Sequence, residues 1–255
     1  MPIRSAFRRH LSVRAMRLFT SHRRAPEADR WLGIVLAVIA GSLNAGVFLM
    51  MSQYASHMTG HLSQLAGSLV GANLSLVLLS FCVLFLFVAG AALASAMIAR
   101  GFARHSRLTY YMPLALQGIL LAVLATAEFL PQPWEGHLGL GLLAFIMGLQ
   151  NATITRISGA RIRTTHATGL LTDMGIEIGR GLYGRGRDSG DDGYDHARLM
   201  LFVQLVAAFV LGGILGGLGH GAFGWAFAFL PAVVLLGISA LTAPRALRAV
   251  GQGAA

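Results

Sequence analysis

The chain has 255 residues, 55% of them hydrophobic and 12% charged, with a formal net charge of +10 and a mean hydropathy of +0.66. Apolar content on this scale excludes an ordinary soluble domain and predicts a chain that crosses a lipid bilayer several times. The positive charge then belongs to a membrane surface beside anionic lipid; nucleic acid is excluded as a partner, because no compact basic fold remains once the spans are set aside.

All twenty basic residues are arginine: eight from Arg4 to Arg30, three from Arg100 to Arg107, seven from Arg156 to Arg198, and then Arg245 and Arg248. The arginine-free blocks between these clusters are 69, 48 and 46 residues long. A helix needs about 20 apolar residues to cross the hydrocarbon layer, so each block holds an out-and-back pair, giving six spans. Arginine near span ends stays in the cytoplasm, which places every cluster and both termini there.

In chain order, residues 1–30 are a basic cytoplasmic tail, in which Ile3, Phe7 and Leu11 recur at helical spacing as in a surface-lying anchor. The first span runs from about Trp31 to Met51 and is weakened by "AGSLNAG", Ala40 to Gly46. Residues 52–72 are too polar for a lipid-facing helix. An extended approach at about 3.3 Å per residue reaches near the midplane, and a helix starting at Thr59 climbs back, so the segment predicts a re-entrant half-helix.

The second span covers about Leu74 to Ile98 behind Asn73 as N-cap, with the single Cys82 expected as a small core residue and no disulfide or thiolate site. The third runs from about Thr109 to Leu130, and "PQPWEGH", Pro131 to His137, makes a short outer turn. Spans four to six are placed at Leu138 to Thr155, Leu199 to Leu218 and Phe223 to Leu241. The cytoplasmic loop 181–198 ends in "RGRDSGDDGYDHAR", whose acids lack the ligand spacing of a calcium loop and read as a solvated segment. The chain thus divides into residues 1–30, a membrane repeat at 31–130, a second at 131–242, and a cytoplasmic tail at 243–255.

Two polar stretches stand out, "SHMTGH" at Ser56 to His61 and "THATGLLTD" at Thr165 to Asp173. Gly41 and Asn44 precede the first as Gly148 and Asn151 precede the second, and His57, Thr59 and Gly60 answer to His166, Thr168 and Gly169. Three spans in each half turn the second upside down relative to the first. The fold class is therefore all-α: a polytopic membrane protein with six transmembrane helices as two inverted three-helix repeats, each with a short re-entrant or interfacial half-helix carrying a Thr-Gly motif.

A half-helix tip exposes unpaired N–H groups to an anion or polar oxygen, with Thr59 and Thr168 expected as N-caps and Gly60 and Gly169 allowing close approach. His57, His61 and His166 are titratable hydrogen-bonding groups for the pocket. His57 and His61 are four residues apart, as a metal pair would be, but no third ligand accompanies them, so no metal and no cofactor is expected. Asn44, Gln150 and Asn151 either hold helices together or touch a ligand. Asp173 either couples a proton or cation, or joins Glu177 in pairing with Arg161, Arg163 or Arg180. The small-residue runs "GGILGG" at Gly212 to Gly217 and "AGAALASA" at Ala89 to Ala96 are packing faces.

At "GSLNAGVF", "SHMTGH", "MGLQNATITRISG" and "RTTHATGLLTDMG" the chain resembles the YoaK-like family of bacterial inner-membrane proteins, of unassigned function and sometimes labelled small permeases. The resemblance covers about Trp31 to Leu241 and implies a multi-pass inner-membrane location. The family pattern commonly has Asn after the first Thr-Gly, where this chain has His61. The reading that follows is a small secondary transporter for a polar or anionic solute, not an enzyme, with lipid and that solute as partners and homo-oligomer formation left open. The alternatives are a non-transporting partner or sensor subunit, and an intramembrane hydrolase using Ser42.

Overall fold

The computed structural model describes residues 26–103, 109–129, 134–183 and 193–251. The expected N-terminal anchor, most of the acidic loop and the tail beyond residue 251 lie outside them. Helices follow one another as α1 (Pro26–Met51), α2 (Met58–Val70), α3 (Leu74–Ala103), α4 (Tyr111–Leu124), α5 (Trp134–Ser158), α6 (Ala167–Tyr183), α7 (His196–Phe223) and α8 (Phe229–Gly251). Short 3₁₀ turns at Ala127–Phe129 and Gly224–Ala228 follow α4 and α7.

Among the described residues, four stretches are long and apolar enough to cross a membrane: Glu27–Met51, Leu74–Ala103, Gly136–Ser158 and His196–Ala240. They mark the chain as a membrane protein. The six expected spans are not six uniform rods. The third is a helix of only 14 residues, roughly 21 Å at 1.5 Å per residue. It tightens where the Thr126 amide and hydroxyl both return to the Val123 carbonyl. The fifth and sixth lie within a single apolar stretch of 45 residues, broken at Gly224, whose φ of 54° suits glycine.

Helix pairing is dictated by glycine. A Cβ at Gly41 would overlap the Phe209 carbonyl, and one at Gly212 or Gly216 the Val38 or Ser42 carbonyl, so α1 and α7 touch backbone to backbone. The pair α3 and α5 repeats this, with Gly148 against the Phe87 carbonyl and Gly90 against that of Phe145. Without a hydrophobic force between helices in lipid, such close van der Waals approach is what holds them. The two small-residue runs are therefore packing faces, each on the helix it was expected to serve. Outside these seams α3 presents Phe81, Phe85 and Val88 outward. Cys82 shares that exposed face, a correction to its expected place in the core, because an apolar residue in a membrane helix has no need of burial.

The long helices α1 and α5 run antiparallel. Arg161, just past the end of α5, pairs with Asp29 near the start of α1 (3.3 Å). Midway, Gln150 Nε2 donates to the Leu36 carbonyl (2.9 Å). At the far end Gly136 faces Met51. These three contacts place the middle of the pair near Ala40 and Met147, both fully buried.

Both helices end in residues at positive φ, Ser52 (52°) after α1 and Gly159 and Ala160 (60° and 64°) after α5. The left-handed turn satisfies the last carbonyls, through Ser52 N–H to Phe48 O and Ala160 N–H to Thr155 O (both 2.8 Å). It sends the chain back along the helix it has just left.

Candidate functional site

Each returning loop is caught by an asparagine. The Ser56 N–H donates to Asn44 Oδ1 (3.1 Å), while Asn44 Nδ2 donates to the Ala40 carbonyl (2.8 Å). In the second half Asn151 Nδ2 donates to Thr165 Oγ1 (2.6 Å), Thr164 Oγ1 approaches Asn151 Oδ1 (3.4 Å), and Gln150 Nε2 also reaches Thr164 Oγ1 (3.3 Å). Asn44 and Asn151 each stand seven residues before the last residue of their helix. At 1.5 Å per residue, each lies roughly 6 Å beyond the middle of the α1–α5 pair, on opposite sides of it. Asn44, Gln150 and Asn151 all make hydrogen bonds that hold the loops and helices together.

Behind each clasp a short helix starts. Thr59 and Thr168 are not its N-caps: the first helical carbonyls are those of His57, accepting from Gly60 and His61 N–H (3.0 and 3.3 Å), and of His166, accepting from Leu170 N–H (3.0 Å). His57 caps with no side-chain bond. Each threonine is thus the second helical residue, and both are exposed. The clasp pulls in Ser56 and Thr165, so the turn into the helix falls on the histidine that follows.

At the α2 tip aromatic rings and histidines pack together. Phe48 stacks on Tyr54 (centroids 4.5 Å apart), Tyr54 lies against His57 (4.4 Å), and the buried His61 donates from Nε2 to the Tyr54 carbonyl (2.6 Å). His57 Nε2 and His61 Nδ1 are enclosed with no hydrogen-bond partner among the described residues. Gly60 has open space around it.

At the α6 tip the structure is open. A cavity of about 830 Å³ lies between the start of α1, the loop before α6, the first turns of α6 and the start of α7. Gly169 and Asp173 line it, with Leu170 and Phe202 as apolar floor, but no residue of α2 does. The two tips, expected to share a pocket, do not share this one. Sequence reasoning placed Asp173 near a pocket but missed Glu27, Arg30 and Arg198, which join it in the lining. They belong to segments read only as tail and loop, and nothing but the fold brings residues this far apart in the chain together.

Asp173 and Glu177 part company here. Glu177 is buried and accepts from Arg180 (3.2 Å), the Asp195 N–H (3.2 Å) and, at 3.7 Å, Arg198. It pins the start of α7 to α6. Asp173 is half-buried and, among the described residues, holds no ion pair. Ser42, the nucleophile of the hydrolase alternative, is buried and spends its hydroxyl on the Ile39 carbonyl (2.8 Å). No group of three or more His, Cys, Asp or Glu residues suited to a metal occurs among the described residues.

A sequence profile described as "protein of unknown function (DUF1275)" matches residues 32–242. The chain belongs to the DUF1275 family. This agrees with the YoaK-like resemblance, and the matched region starts in α1, ends in α8 and spans both clasps and both tips. No curated protein and no solved structure matches the chain.

Proposed function

We propose that this DUF1275 protein is a small secondary transporter for a polar or anionic solute, in the bacterial inner membrane with its arginine-rich end in the cytoplasm. In this reading the six spans form two inverted triplets, α2 and α6 are the broken half-helices, and the solute passes between their tips. One observation carries it. Two tips, clasped at matching depth from opposite ends, differ: the first turns of α6 line a cavity, while at the start of α2 the Phe48 and Tyr54 rings pack over His57. A transporter resting open toward one side has this asymmetry, and the other state follows by exchanging the conformations of the halves. His57 and His61, packed under these rings at the α2 tip, then meet the solute when that side opens.

The test uses cysteine variants Thr59→Cys and Thr168→Cys on a Cys82→Ser background in oriented vesicles. A membrane-impermeant thiol reagent should label position 168 from the cytoplasmic side and position 59 only from the other, and a transported solute should shift both rates in opposite directions. Labelling of both from one side, or rates indifferent to every solute and to pH, would remove the reading.

A further inference from the structure

The cavity at the α6 tip carries a charge pattern that selects a ligand class. Four arginines and three carboxylates line it. Arg161 is committed to Asp29 (3.3 Å) and Arg198 to Glu177 (3.7 Å), carboxylates outside the lining. Asp195 is committed as well, accepting from the Arg198 N–H (3.0 Å) to cap α7. Among the described residues Arg163 and Asp173, and on the facing wall Glu27 and Arg30, hold no ion pair; Arg30 Nε donates to Gln204 (2.7 Å). The charge left over among them is thus mixed in sign, not a basic patch, and Arg163 and Asp173 are the pair that flanks the start of α6.

Floor and volume narrow the class. Arg163 stands on the loop before α6 and Asp173 six residues beyond the first residue of that helix. The floor is apolar, with Ile162, Leu170 and Phe202 all buried. The volume of about 830 Å³ suits a molecule larger than an amino acid.

We propose that the cavity binds a zwitterionic di- or tripeptide with apolar side chains, its carboxylate at Arg163 and its ammonium at Asp173. The proposal names the solute class of the transport reading, and rests on that reading in taking the cavity for a solute site.

Calorimetric titration of the purified full-length protein in detergent tests it, with leucyl-leucine and trileucine as probes. Free leucine, the N-acetylated dipeptide and the dipeptide amide serve as comparisons. The two peptides should bind, and loss of either terminal charge should weaken binding by about tenfold or more. In Asp173→Asn the acetyl group should cease to matter while the amide still does; in Arg163→Gln the reverse should hold. Because each variant is read as a ratio between two ligands, a general loss of folded protein cannot imitate this result. Equal binding of free and blocked peptides, no binding of either peptide, or both discriminations surviving in both variants would overturn the proposal. Peptide binding without uptake by vesicles would leave the site standing and remove the transporter; uptake of another solute without peptide binding would do the opposite.

Discussion

Gly148→Ala should destabilise the protein by about 3 kcal/mol, the upper end of what overpacking costs. The added methyl has nowhere to go: it overlaps the Phe87 carbonyl, a backbone atom that moves only if α3 and α5 separate along the whole seam. Gly41→Ala should cost a similar amount at the Phe209 carbonyl between α1 and α7. The two seams involve different helices, so the losses should add within a few tenths of a kcal/mol. Gly60→Ala and Gly175→Ala are the contrast, with nothing within 4 Å of either new methyl. They should be neutral or slightly stabilising, since alanine favours a helix over glycine by up to about 1 kcal/mol. Chemical or thermal unfolding in detergent measures all four, and Gly148→Ala behaving like Gly60→Ala would show that backbone contact does not hold the helices.

The second large effect is local. Asn44→Ala leaves the buried Ser56 N–H without its acceptor, a loss of about 2 kcal/mol. At 1.4 kcal/mol per tenfold, this raises the open population of the loop roughly 30-fold. Amide hydrogen exchange should then accelerate over residues 52–61 and stay unchanged over 161–170. Asn151→Ala should reverse the pattern, freeing Thr165 and leaving the first loop alone. Uniform acceleration over the whole chain in either variant would mean that the asparagines stabilise the core and not the returning loops.

The parts of this fold legible in the sequence were those set by the solvent. Arginine spacing reports where water is, and the four long apolar stretches lie largely within the arginine-free blocks; glycine-rich faces report where helices touch. The matched polar stretches also proved to sit in matched places. What stayed hidden depended on backbone direction and on tertiary approach. Thr59 and Thr168 have the side chains of N-caps, yet the clasped loops bring the chain into helical geometry two residues earlier, at His57 and His166. The shortness of α4 was invisible because the apolar run continues past Leu124 while the helix does not. Asp173 and Glu177 look alike in sequence, four residues apart on one helix. Glu177 is set apart by Arg180 one turn on and by the Asp195 N–H and Arg198 that come in with the start of α7, whereas Asp173 holds no ion pair among the described residues.

The seams between helices also set a timetable. The partner of α1 is not its neighbour in the chain but α7, and Arg30 meets Gln204 across 174 residues of sequence. At synthesis rates of about 5–20 residues per second, α1 waits roughly 9–35 s for the surface that fits its glycines. Until then its notched face lies against lipid. Neither half, made alone, contains the mate of its own first helix, so a ribosome releasing only the first 130 residues would deliver a fragment with its main docking groove vacant.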